Sequence, residues 1–159
     1  MIAEQITNVK NFMAKLLLDS TFDEFLVNEI SITTYNTFEI DGHIQKDFFS
    51  EEELSTLADS HLSKWATLRP FCYSIIKGNK TPIRFRMIFA MPRDRISALL
   101  TEHQLTFSIE DVNELFLNIK YENGTLSCVT GTSLKIFTMD KSLEKAFDSY
   151  ISNFISTLF

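Results

Sequence analysis

Val9, Phe12, Met13, Leu16 and Leu17 recur at the i, i+3, i+4, i+7, i+8 spacing that lines one face of a helix. Thr7 is its expected N-cap, and Asp19-Ser20-Thr21 ends it. From Leu26 the period changes to two. Ile30, Ile32, Phe38 and Ile40 fall on even positions, with Glu29, Ser31, Thr33, Thr37 and Glu39 on odd ones. Asp41-Gly42 reads as a two-residue hairpin turn, returning the chain through His43-Ile44-Gln45-Lys46 as a β-ribbon.

Ser50 followed by Glu53 is a capping box, and Glu51 and Glu52 add negative charge to the first helical turn. Phe49 and Leu54 have the spacing of a hydrophobic staple. Leu54, Leu57, Ala58, His61, Leu62 and Trp65 then predict one helical stripe, broken before Pro70. A second helix restarts near Pro70 with Phe71, Cys72, Ile75 and Ile76 inward and Gly78 as its C-cap. Ile83, Phe85, Met87, Phe89 and Met91 alternate with Arg84, Arg86, Ile88 and Ala90, which predicts a strand. Pro92 opens a short helix carrying Ile96, Leu99 and Leu100, with His103 at its end. Leu115, Leu117, Ile119 and Tyr121 form another strand, which Asn123-Gly124 turns into Leu126-Ser127-Cys128. Gly131-Thr132 is expected to lead into a third strand, Leu134-Lys135-Ile136, completing a meander. Leu143, Phe147, Tyr150, Ile151, Phe154, Ile155 and Leu158 predict an amphipathic closing helix of about four turns.

This order predicts an α+β fold: an antiparallel sheet of about five or six strands with helices packed on it, including a long C-terminal helix. The 159 residues fit a single domain, 1–159, with no repeat or linker. With 45% hydrophobic and 23% charged residues, 4 Gly and 3 Pro, the disordered and low-complexity classes are excluded. No apolar run approaches the ~20 residues a membrane span requires, and no signal peptide is read in the first residues. Cys72 and Cys128 form no CxxC pair, which favours a reducing cytoplasm.

The formal charge of −6 argues against a generic nucleic-acid binder. Its distribution adds something. From Ser60 to Arg93 there are seven basic residues and no acid: Lys64, Arg69, Lys77, Lys80, Arg84, Arg86 and Arg93. Such a block either focuses positive potential on an anionic partner or scatters over several faces and pairs with acids from elsewhere. Arg84 and Arg86 are the leading candidates. Their spacing puts both guanidiniums on one strand face, roughly 7 Å apart by strand rise. A pair so placed can grip phosphates or carboxylates bidentately. Lys77 and Lys80 lead into that strand, and Arg69 lies in the same block.

Tyr35-Asn36-Thr37-Phe38-Glu39-Ile40-Asp41-Gly42, followed by Trp65, Leu68-Arg69-Pro70-Phe71-Cys72 and Ile76-Lys77-Gly78, resembles a family of small proteins from clostridial gut bacteria classed as a domain of unknown function. The likeness runs nearly the whole chain. It implies a bacterial cytoplasmic protein and supplies no activity, cofactor or catalytic residue.

The remaining constellations read as structural. Glu39, Asp41, His43 and Asp47 lie within nine residues, yet the predicted ribbon points Glu39 and His43 to opposite faces, so no metal site is expected. His61 on an apolar stripe reads as a core histidine. Cys72 and Cys128 read as buried, inert thiols. No GxxxxGK[ST], GxGxxG or GxSxG motif is present. No catalytic residue or cofactor is therefore assigned. The leading reading is a non-enzymatic binding or accessory module for an anionic partner: a phosphorylated ligand, an acidic protein segment or, behind these, nucleic acid. Its candidate residues are Arg69, Lys77, Lys80, Arg84 and Arg86. The alternatives are an apolar-ligand carrier or small enzyme with a cavity under the C-terminal helix, or a subunit docking through exposed apolar surface.

Overall fold

The computed structural model describes residues 1–57 and 61–158. Strand β1 (Ala3–Ile6) precedes helix α1 (Val9–Leu17), and strands β2 (Leu26–Thr33) and β3 (Thr37–Asp41) follow. Helices α2 (Glu51–Thr56) and α3 (Trp65–Ile76) lead to strand β4 (Arg84–Ala90) and helix α4 (Arg93–Glu102). Strands β5 (Val112–Glu122) and β6 (Thr125–Leu134) and helix α5 (Ser142–Ser156) complete the order. The six strands form one sheet in the order β1-β6-β5-β4-β2-β3, with every neighbouring pair antiparallel. The α+β architecture is the one the periodicity predicts.

Alternation explains the layering. Ile30, Ile32, Phe85, Met87, Phe89, Leu115, Leu117, Ile119, Leu126 and Cys128 fall on one sheet face and are buried there. They share a core with Phe12 and Leu16 of α1, Trp65 and Cys72 of α3, Ile96 and Leu99 of α4, and Phe147 and Ile151 of α5. The Trp65 indole Nε1–H donates to the Leu16 carbonyl at 2.9 Å in the buried interior, tying α3 to α1. The other face is open to solvent over much of its area, as one-sided antiparallel sheets allow.

Several local expectations are corrected. Asn8, not Thr7, caps α1, its side chain accepting from the Asn11 N–H. The β2–β3 turn lies at Thr34–Asn36, where Thr34 N–H donates to the Asn36 carbonyl, and Thr33 pairs with Thr37. Asp41-Gly42 is therefore not a hairpin turn. Its glycine serves close packing instead: a Cβ there would sit 1.7 Å from the Val27 carbonyl oxygen. The predicted return strand is replaced by a single bridge, His43 to Leu62.

The long helical stripe after Ser50 is also interrupted. The capping box forms, with Ser50 and Glu53 satisfying each other's backbone N–H groups. The helix nevertheless ends at Thr56, and Leu57 is extended. The predicted stripe residue Ala58 lies outside the described residues. Residues 61–65 run beside the sheet, with Ser63 N–H donating to the Gly42 carbonyl and Val27 N–H to the Ser63 carbonyl. These bonds outcompete helical continuation. Helix α3 starts earlier than expected, at Trp65, and carries Pro70 inside it, where the ring nitrogen has no N–H to give the Ala66 carbonyl.

Further along, Asn123 and Gly124 both adopt positive φ (54° and 76°), the conformation of a tight hairpin turn between β5 and β6. Gly131 does not end a strand; it stands inside β6 opposite Phe116, so the third meander strand is absent. Strand β1, unforeseen in the sequence, adds to the outer edge of β6.

Candidate functional site

Arg84 and Arg86 lie on the open face of β4 and are exposed, as their alternation predicts. The register aligns Arg86 with Ser31 on one side and Lys120 on the other, and Arg84 with Thr33 and Glu122. A groove of about 220 Å³ runs here, lined among others by Ser31, Arg84, Arg86, Lys120 and Glu122. Lys120 was not singled out by sequence because it stands alone in an acidic stretch. Its exposed phase on β5 was the available signal.

The charges in the groove are partly balanced. Arg86 pairs with Glu29 at 2.5 Å, both about half exposed, and Lys120 Nζ lies 3.4 Å from Glu122. Arg84 has no ion pair among the described residues. Within the basic block, Lys64, Arg69 and Arg86 pair with acids from elsewhere in the chain. Arg69, on α3, is held bidentately by Asp23 at 2.9 and 3.0 Å in a partly buried setting, where it locks α3 to the Asp19–Phe25 connection. Lys77 and Lys80 are exposed between α3 and β4, and neither has an ion pair among the described residues. Lys64 faces Glu24 at 3.9 Å, and Arg93 is bound to backbone carbonyls.

His61 is not a core histidine. The interruption after α2 leaves it exposed, its Nε2 3.3 Å from Glu114 and its ring 5.9 Å from that of His43. His43 Nδ1 is itself 2.6 Å from Asp41, whose carboxyl is held below its ordinary value by hydrogen bonds from His43. Among the described residues no three His, Cys, Asp or Glu side chains are grouped to hold a metal ion. Both thiols are buried, and burial pushes Cys72 and Cys128 up to about 12, far from thiolate chemistry. The space under α5 is occupied by aromatic rings, with Phe154 5.3 Å from Phe22 and 5.6 Å from Phe25. No helix among the described residues is long and apolar enough to cross a membrane.

The fold and groove define an α+β protein with helices packed on an antiparallel sheet and a groove of mixed charge on the sheet's open face. The chain belongs to a family of unknown function (DUF5721), whose model matches residues 15–158. No curated protein and no solved structure matches it.

Proposed function

We propose that this chain is a single-domain, non-catalytic binding or accessory module for an anionic partner, in a bacterial cytoplasm. The partner is gripped on the open sheet face by Arg84, Arg86 and Lys120, with Lys77 and Lys80 adding positive potential from the preceding connection. The observation that carries this reading is Arg84: an exposed guanidinium without an ion pair among the described residues, one register step from Arg86 and Lys120. A phosphorylated ligand suits it best, because fork-shaped guanidiniums match phosphate oxygens and the groove is small. Arg69 takes no direct part, since Asp23 already occupies it.

The test is a pyrophosphate titration at low salt, followed by amide chemical shifts. Saturable shifts along β4 and β5 are expected, abolished by Arg84→Ala with Arg86→Ala and weakened by salt. Absent binding, or binding untouched by the double substitution, would reject the reading.

A further inference from the structure

A second concavity, of about 570 Å³, opens on the same sheet face at its far end. That volume lies within the roughly 300–1,000 Å³ of small-molecule sites. Its floor is Leu26, Leu62 and Ala90, a small buried cluster packed with Phe116 and separate from the helix-side core. Met91 and Pro92 extend the apolar floor. The β-bulge between Val27 and Glu29 creates this cluster. It rotates Leu26 to the open face opposite Ala90, where the 61–65 segment can lay Leu62 over it.

The walls are polar and carry both signs of charge. His61 faces Glu114 at 3.3 Å, and Lys64 faces Glu24 at 3.9 Å. Two cations remain, both fixed to the same stretch of backbone. Arg93 donates to the carbonyls of Ile109, Val112 and Asn113 at 2.7, 2.8 and 2.9 Å. These bonds use three of its five N–H groups and leave Nε–H and one terminal N–H available. Lys135 is anchored through its backbone N–H to the Asp111 carbonyl at 2.8 Å, and its ammonium has no ion pair among the described residues. Asp94 is the rim acid, and it accepts the Arg95 N–H. With histidine counted neutral, the three acids Glu24, Asp94 and Glu114 match the three cations Lys64, Arg93 and Lys135, and Lys135 is the lining ammonium without an ion pair among the described residues.

We propose that this concavity binds a small amphipathic carboxylate. The apolar body lies over Leu26, Leu62, Ala90 and Met91, and the carboxylate takes the Lys135 ammonium and the remaining Arg93 donors. An ammonium without an ion pair among the described residues, beside spare guanidinium donors at the edge of an apolar floor, suits a carboxylate on an apolar body, whereas the Arg84 groove suits a more highly charged group.

The probe is octanoate, titrated into isotope-labelled protein beside octanol and octylamine. Octanoate shifts the amides of Leu62, Ala90 and Met91 and saturates at one per chain. Octanol binds about tenfold more weakly, as loss of one good ion pair implies, and octylamine more weakly still. Lys135→Gln lowers octanoate affinity by about two- to fivefold and leaves octanol unchanged. Arg84→Ala with Arg86→Ala leaves octanoate binding intact, so this site and the pyrophosphate groove fail independently. Equal affinity for octanoate and octanol, shifts confined to the helix-side core, or no saturation would each overturn the assignment.

Discussion

Replacing Gly42 with alanine places one methyl group where the fold has no room for it. The Cβ would stand 1.7 Å from the Val27 carbonyl oxygen, 2.5 Å from its carbon and 3.1 Å from the Asn28 oxygen. Carbon–oxygen contacts ordinarily close to roughly 3.3 Å, so the intrusion is about half a contact distance. All three obstacles are backbone, and no rotamer change relieves them. The chain must move, and with it go the bond from Gly42 N–H to Asn28 and that from Ser63 N–H to the Gly42 carbonyl, both 2.9 Å. Two bonds at about 1 kcal/mol each, plus disturbed packing of Leu62 on Leu26, predict a loss of about 3 kcal/mol. For a chain of this size that lowers Tm by roughly 6–12 °C. Urea unfolding of Gly42→Ala is the assay, with Gly131→Ala as the control. A Cβ at Gly131 meets Phe116 at 3.8 and 3.9 Å, an ordinary contact, so that variant unfolds within about 1 kcal/mol of the parent. A Gly42→Ala protein as stable as the Gly131→Ala control would refute the close-approach argument.

Three further outcomes follow from the geometry. A double-mutant cycle on Asp23 and Arg69 gives a coupling above about 1 kcal/mol, because the pair is bidentate and partly buried, whereas the exposed Lys64–Glu24 pair gives less. Equal couplings would remove Arg69 from its structural role. Hydrogen bonds from the Ser50 backbone and hydroxyl hold the Glu53 carboxyl below 4.5. Its stabilisation is therefore complete above that value and lost as pH falls through the lower folded-state value. Carbon-detected titration shows this, and Ser50→Ala raises the Glu53 midpoint. An unmoved midpoint contradicts the cap. Both cysteines stay unreactive towards an aromatic disulfide reagent at pH 8 until the protein is unfolded, as thiols pushed up to about 12 require. Prompt labelling of the native protein would place one of them at the surface.

The architecture was legible wherever one local signal had no rival. Alternation at Arg84–Ala90 and Val112–Glu122, the Ser50 cap and the apolar stripe of α5 each point to one element. The misreadings have a common source in long-range backbone pairing. Asp41-Gly42 has a turn's composition, but Gly42 is needed for its approach to Val27, which lies 15 positions earlier. His61 and Leu62 have a helix's spacing, but bonds to Gly42, Ile44 and Val27 hold their segment extended. Strand β1 is too short to carry a period and exists because β6 offers it an edge. The same division holds at the candidate site. The phase of Arg84 and Arg86 was readable within one strand, while Glu29, Lys120 and Glu122 enter through register, which no local pattern encodes.

The placement of β1 has a consequence for the order in which the molecule can assemble. Ala3 pairs with Val129, 126 positions downstream, and the Ile2 N–H donates to the Thr130 hydroxyl oxygen at 2.9 Å. At roughly 5–20 residues per second of synthesis, the first strand waits on the order of ten seconds for its neighbour to emerge. During that interval α1 and the β2–β3 ribbon can form locally, while β1 stays unpaired. The sheet is therefore completed last at β1, and a ribosome stalled before β6 would hold a nascent chain with that strand still without its partner.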